Sequence, residues 1–197
     1  MSSMKVAVTK SSALIVVDIQ NDFCAEDGAL PVSGCRSIVE NVNKYIEVFE
    51  RRGQIIAASR DWHPPDHISF KARGGPWPPH CVQWSKGAEF YPELKLPKEV
   101  LIISKGTDPN AEAYSAFDGT ELHYVLSKHG IRRVFVCGVA TDYCVRATVM
   151  DALKLGYEVV LLDDAVAGVS SESSRNAVLE MIRSGAVLAE FKEILVE

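Results

Sequence analysis

Apolar residues along the chain fall into two rhythms. Short unbroken runs rich in Val and Ile cover 13–17, 54–58, 100–103, 134–137 and 159–162, with a fainter one at 186–188. Runs of that length, bounded by turn residues, read as strands buried on both faces. Between them the spacing changes to three and four: Ile38, Val42, Tyr45, Ile46 and Phe49 mark an amphipathic helix over 34–52. Further helices are predicted over 120–129, 142–155 and 173–184, ending against Gly130, Gly156 and Gly185. Glycine just past a helix is the favoured left-handed cap.

Strands alternating with helices imply right-handed crossovers and an α/β fold. The expected architecture is a three-layer α/β/α arrangement on a mostly parallel, roughly six-stranded, doubly wound sheet. One stretch breaks the rhythm, from His63 to about Pro97, and it holds Trp77, Trp84, Phe90 and Tyr91. A long irregular segment inside a compact domain is usually functional or disordered, and the aromatic residues argue against disorder. In parallel sheets the chemistry gathers beyond the carboxyl ends of the strands, so candidate residues are sought there.

Composition narrows the setting. With 197 residues and 47% hydrophobic content, the chain is read as one domain over 1–197. Its 26 acidic against 21 basic side chains, a formal charge of −5, give no electrostatic reason to bind nucleic acid or an anionic membrane. The apolar runs are too short to span a bilayer, and no signal peptide is expected. Cys24, Cys35, Cys81, Cys137 and Cys144 make an odd count without the spacing of a disulfide framework. That pattern points to a reducing cytoplasm and a thiol free for chemistry.

Four constellations fall at strand ends. Asp18 follows the first strand: desolvation there raises a carboxyl pKa and a nearby cation lowers it, so it could exchange a proton near neutrality or simply cap a loop. Asp61 and His63 share a face of extended chain, with Trp62 pointing away. His80 follows Pro78-Pro79. One carboxylate and two imidazoles suit a divalent transition metal such as zinc, iron or manganese; hydrogen-bonded loop histidines are the plainer alternative. His67 is close enough to be a fourth ligand, a supporting partner or neither. Lys105, after the third strand, could hold a thiolate or carboxylate charged or simply face solvent. Cys144 lies where a strand passes through Gly138 into a helix. With Thr141 as N-cap it occupies position N3, where the helix dipole lowers a thiol pKa and free N–H groups can hold an oxyanion. Cys137, within the strand, reads as core.

Together these residues resemble the isochorismatase-like cysteine hydrolase superfamily, and within it the metal-dependent nicotinamidases. The likeness runs through Asp18-Ile19-Gln20-Asn21-Asp22-Phe23, Arg60-Asp61-Trp62-His63-Pro64 and Gly75-Pro76-Trp77-Pro78-Pro79-His80-Cys81-Val82-Gln83. It continues in Lys105-Gly106, Glu112 to Phe117, and Gly138-Val139-Ala140-Thr141-Asp142-Tyr143-Cys144-Val145. Trp84-Ser85 departs from the pattern and bears on the pocket rim. The resemblance implies a triad of Cys144, Asp18 and Lys105, metal ligands Asp61, His63 and His80, and a pocket lined by Phe23, Trp77 and Tyr114. It also implies a cis peptide before Ala140, with the N–H groups of Ala140 and Cys144 as the oxyanion hole.

The activity so implied is hydrolysis of nicotinamide to nicotinate and ammonia through a cysteine thioester, in NAD salvage, with one divalent metal, zinc foremost. Self-association is implied by family habit. NAD itself is not, because no GxGxxG follows the first strand. The rival readings are an amidase of the same superfamily acting on a carbamoyl or ureido compound, and a non-catalytic binding protein on the same fold.

Overall fold

The computed structural model describes residues 5–195. In chain order its strands are β1 (Val6–Ala7), β2 (Ser12–Val17), β3 (Ile55–Asp61), β4 (Leu101–Lys105), β5 (Arg133–Val139), β6 (Glu158–Ala167), β7 (Val187–Ala189) and β8 (Ile194–Leu195). Six of them form one sheet in the order β4, β3, β2, β5, β6, β7, with every pairing parallel. β1 and β8 make a separate parallel pair that the sequence reading missed.

The helices are α1 (Asn21–Cys24), α2 (Cys35–Arg51), α3 (Leu122–Lys128), α4 (Arg146–Lys154) and α5 (Ser171–Arg183). Alternate residues of a strand face opposite sides of a sheet, and both sides here are covered. On one side Leu14, Val16, Ile56, Ala58 and Phe135 pack against Val39, Val42, Tyr45, Ile46 and Phe49 of α2. On the other, Ala13, Ile15, Val17, Val134 and Val136 meet Leu122 and Leu126 of α3, Val149 and Ala152 of α4, and Ala177 and Met181 of α5. All six residues of β2 are buried, which is why it reads as a continuous apolar run. The three-layer α/β/α expectation holds.

Two local expectations change. The helix predicted over 142–155 opens as a π-helical turn, Thr141–Val145, before α4 begins. Its cap is Ala140, not Thr141. The cysteines are not all free: Cys24 and Cys35 form a disulfide, with Cα atoms 5.0 Å apart. Cys81, Cys137 and Cys144 remain free thiols, all buried.

The irregular segment after β3 is ordered by local bridges. His63 pairs with Val82, Phe70 with Trp77, and Phe90 with Gln20. Trp84 instead stands out in solvent at 87% exposure, edge-on to Trp62 with ring centres 5.2 Å apart. Among the described residues no helix is long and apolar enough to cross a membrane.

The chain leaves β2 toward β3 on one side and later returns to place β5 on the other. The carboxyl ends of β2 and β5 therefore flank a topological switch point, the crevice where parallel sheets bind ligands.

Candidate active site

Three charged side chains meet at the carboxyl ends of β2, β3 and β4. Asp61 and Lys105 are the last residues of β3 and β4 and are register partners, so their side chains project together. Asp18 follows β2 directly, with φ 51°, a left-handed conformation that Asp tolerates better than most residues. Lys105 Nζ lies 2.9 Å from Asp18 Oδ2 and donates to Asp61 Oδ1 at 2.5 Å. It is also 3.4 Å from the sulfur of Cys144. Asp18, Asp61 and Lys105 are all buried.

The two carboxyls of this cluster are driven apart. Burial raises the Asp18 pKa above its usual value, against the pull of Lys105 and with a further push from Asp61. Burial also pushes Asp61 upward, but Lys105 and the two imidazoles hold its carboxyl well below the usual range. Burial alone would discharge Lys105; Asp18 and Asp61 keep it firmly protonated. Ser59 Oγ donates to Asp18 Oδ1 at 2.7 Å. Apart from its 2.9 Å contact with Nζ, Asp18 Oδ2 has no hydrogen-bond partner.

Cys144 arrives from the other side of the crevice. At Gly138, φ is 113° and a Cβ would sit 2.1 Å from the Val17 carbonyl, so only glycine lets β5 approach the end of β2. A cis peptide joins Val139 to Ala140, and the π turn carrying Cys144 follows. Sequence position alone argued for a lowered thiol pKa. In the folded protein burial pushes the Cys144 thiol well up; Lys105 opposes this, and Asp18 and Asp61 add to it. The resting sulfur is a thiol beside a base.

On the far side of Asp61 three potential ligand atoms converge. Asp61 Oδ2 lies 3.5 Å from His63 Nε2 and 3.8 Å from His80 Nε2, and the three side chains are buried. His63 Nδ1 faces the Gly106 carbonyl at 2.9 Å and His80 Nδ1 the Pro78 carbonyl at 2.8 Å. A carbonyl only accepts, so each Nδ1 carries a proton and each Nε2 is the nitrogen turned toward Asp61. Outer hydrogen bonds of this kind orient metal-binding histidines. Gly106 is required here, because a Cβ would come within 2.5 Å of the His63 ring. A buried carboxylate with two imidazole nitrogens turned toward it fits a divalent metal ion.

His67 does not join them. Its Nδ1 accepts from Ser69, its Nε2 donates to the Ala111 carbonyl at 3.0 Å, and its ring stacks on His63 with centres 4.1 Å apart. With both nitrogens engaged, His67 stacks on His63 and turns no free nitrogen toward the cluster.

The thiol and the ligand cluster face one small cavity of about 80 Å³, lined in part by Phe23, Trp77, Tyr114, Asp61, His80 and Cys144. The three aromatic residues singled out from the sequence all line it. Trp77 Nε1 donates to Tyr114 Oη at 3.0 Å, and Trp77 packs edge-on to Tyr143. Trp84 lies outside the lining, so the departure at Trp84-Ser85 leaves the pocket intact. The sequence reading missed Leu30, Pro31 and Val32, which form a wall from the segment closed by the Cys24–Cys35 bridge, as well as Tyr143 and Val169. Tyr143 was signalled by its place beside Cys144; the wall carried no local signal.

Gln20 was also missed. Its amide Nε2 donates to the Asp61 carbonyl at 2.8 Å and its Oε1 accepts the Asp61 N–H at 2.8 Å. It grips the Asp61 peptide as a neighbouring strand would.

Residues 12–193 match the Isochorismatase domain family. The nicotinamidase of Escherichia coli (strain K12) is 40% identical, the alignment covering 89% of this chain and 93% of that protein. Among solved structures, the pyrazinamidase of Pyrococcus horikoshii in complex with zinc is 53% identical with a TM-score of 0.89, covering 92% of this chain and 99% of its own. PnC1 from L. infantum in complex with nicotinate is 40% identical with a TM-score of 0.93, covering 98% and 100%.

Proposed function

The chain belongs to the isochorismatase domain family, and from that premise we propose that it is a nicotinamidase using Cys144, Asp18 and Lys105 for catalysis. It hydrolyses nicotinamide to nicotinate and ammonia. The observation that carries this reading is the shared cavity: a thiol with a buried acid–base pair on one side, an Asp-His-His cluster on the other, aromatic walls between. Small and walled by Phe23, Trp77, Tyr114 and Tyr143, the cavity suits one flat ring rather than a nucleotide. Nicotinate, the product of this reaction, in the L. infantum relative and zinc in the Pyrococcus relative support the same ring-binding pocket and metal here.

Asp18 Oδ2 takes the proton of the Cys144 thiol while Lys105 Nζ, 3.4 Å from the sulfur, stabilises the thiolate. The sulfur attacks the carboxamide carbon, and the N–H groups of Ala140 and Cys144 receive the oxyanion. Asp18 returns the proton to departing ammonia, leaving a thioester on Cys144. Asp18 then deprotonates the water that cleaves the thioester, releasing nicotinate and restoring the thiol. A divalent metal, zinc foremost, held by Asp61, His63 and His80 would polarise water or bind the ring nitrogen.

The same reading takes the chain as one self-associating domain that feeds nicotinate into NAD salvage. A cytoplasmic setting rests on that small-molecule chemistry alone, since the disulfide removes the cysteine-count argument for a reducing compartment. The test is ammonia release from nicotinamide by zinc-replete wild type and by Cys144→Ala. Release by the wild type and none above background by the variant is expected. A silent wild type sinks the substrate, and equal release by both sinks the nucleophile.

A further inference from the structure

Asp22 takes no part in the chemistry above, yet it bonds to two of the segments that frame it. Its Oδ2 accepts the Cys81 N–H at 2.7 Å, and its Oδ1 accepts the Ala29 N–H at 3.0 Å. Its own carbonyl accepts the Leu30 N–H at 3.1 Å. Cys81 directly follows His80 and has φ 46°, a left-handed conformation that a non-glycine residue keeps only when its surroundings hold it. The carbonyl of the same Cys81 accepts the His63 N–H at 3.0 Å. One carboxylate thus fixes the residue through which both imidazole-bearing segments are joined. Its other oxygen anchors the segment whose Leu30, Pro31 and Val32 wall the cavity.

The fit around this carboxylate is close. A Cβ on Gly87 would lie 2.1 Å from Asp22 Oδ2, so the backbone at Gly87 has space for the carboxylate only without a side chain. Hydrogen bonds from N–H to an ionised carboxylate are stronger than neutral ones. An asparagine in its place has one oxygen and one N–H₂ group, so either the Cys81 or the Ala29 N–H loses its acceptor.

We propose that Asp22 is a positioning residue, one carboxylate that sets the His80 turn and the cavity wall in register and so governs metal affinity and substrate binding together. The inference rests on Asp61, His63 and His80 being the metal ligands. Changing residues in the outer shell of a metal site typically weakens metal binding by about 10–100-fold. A similar loss is expected here, with KM for nicotinamide rising by a larger factor than kcat falls.

The test compares wild type, Asp22→Asn and Gly87→Ala. Gly87→Ala leaves the carboxylate in place chemically but crowds it from its seat. Zinc affinity is measured on folded protein by competition with a chromophoric chelator, and ligand geometry by the visible spectrum of the cobalt-loaded form. Both variants are expected to bind zinc about 10–100-fold more weakly and to show a changed cobalt spectrum. A merely destabilising substitution lowers the melting temperature and leaves the affinity and spectrum of the folded protein alone. If wild type binds zinc and Asp22→Asn binds it equally tightly with the same cobalt spectrum, the inference is overturned by itself. If wild type binds no zinc, the metal-site reading falls and takes the inference with it.

Discussion

Strands β2, β3 and β4 are two different materials along their length. In their interiors Ile15, Ala57 and Ile103 are fully buried and apolar. At or just past their carboxyl ends Asp18, Asp61 and Lys105 are buried almost as completely, but charged. Burial stabilises the first set by about 25 cal/mol per Å² of apolar surface. It costs the second set several kcal/mol per ion unless the charges are paired. Stability and chemistry are therefore separated along single strands. The register that packs the interiors also aligns the charges, which is how a costly cluster stays in place.

The contrast is broken most directly at Lys105. Lys105→Met leaves Asp18 and Asp61 without their shared cation, and losing one member of a buried ion cluster costs about 3–5 kcal/mol. Denaturant unfolding is expected to show a loss of that size, and ammonia release from nicotinamide is expected to fall to background. A variant as stable as wild type would mean the charged ends are not under the tension described.

A smaller effect sharpens the picture of the thiol. Burial with two carboxylates nearby raises the Cys144 pKa, and alkylation needs the thiolate, so its rate climbs only as pH passes through that raised value. In chelator-treated protein, iodoacetamide is expected to modify Cys144 more slowly at pH 7 than it modifies free cysteine. The midpoint of the pH profile should lie above that of free cysteine, as mass spectrometry of the peptide carrying residue 144 can show. A midpoint below it would restore the helix-dipole argument.

The smallest effect belongs to the interior. Ile15→Val in β2 removes one methylene from a fully buried site and is expected to cost about 0.5–1.5 kcal/mol. Turnover at 25 °C should be unchanged. A loss of turnover would show that packing and chemistry are coupled along the strand after all.

The interiors were legible in the sequence because both of their faces are apolar. How far the strands extend was not. The run at 54–58 hid a strand that reaches Asp61, since Ser59, Arg60 and Asp61 are polar although Ser59 is fully buried beneath Asp18. The sixth-strand signal at 186–188 and the fifth at 159–162 were likewise shorter than or offset from the strands, β6 continuing to Ala167. The side chains of the proposed triad and metal site could be found because they sit at fixed offsets from strong apolar runs. Gln20 and Asp22 could not, because they act on the backbone of distant residues and such bonds leave no spacing behind. The thiol's direction was misjudged for a related reason. A helix start is visible locally, whereas two carboxylates brought in by other strands are visible only in the fold.

The disulfide has a consequence for anyone handling the protein. Cys24 and Cys35 close a covalent ring that contains Leu30, Pro31 and Val32, and that ring faces the cavity holding Cys144. Two sulfur demands therefore meet at one small space: the proposed nucleophile must stay reduced, and the wall must stay joined. A reducing agent that protects the first opens the second, leaving the wall to hydrogen bonds such as those of Leu30 N–H to the Asp22 carbonyl and Val32 N–H to the Phe23 carbonyl. Preparations made with and without reductant thus share the same cavity residues and differ in how the wall is tethered.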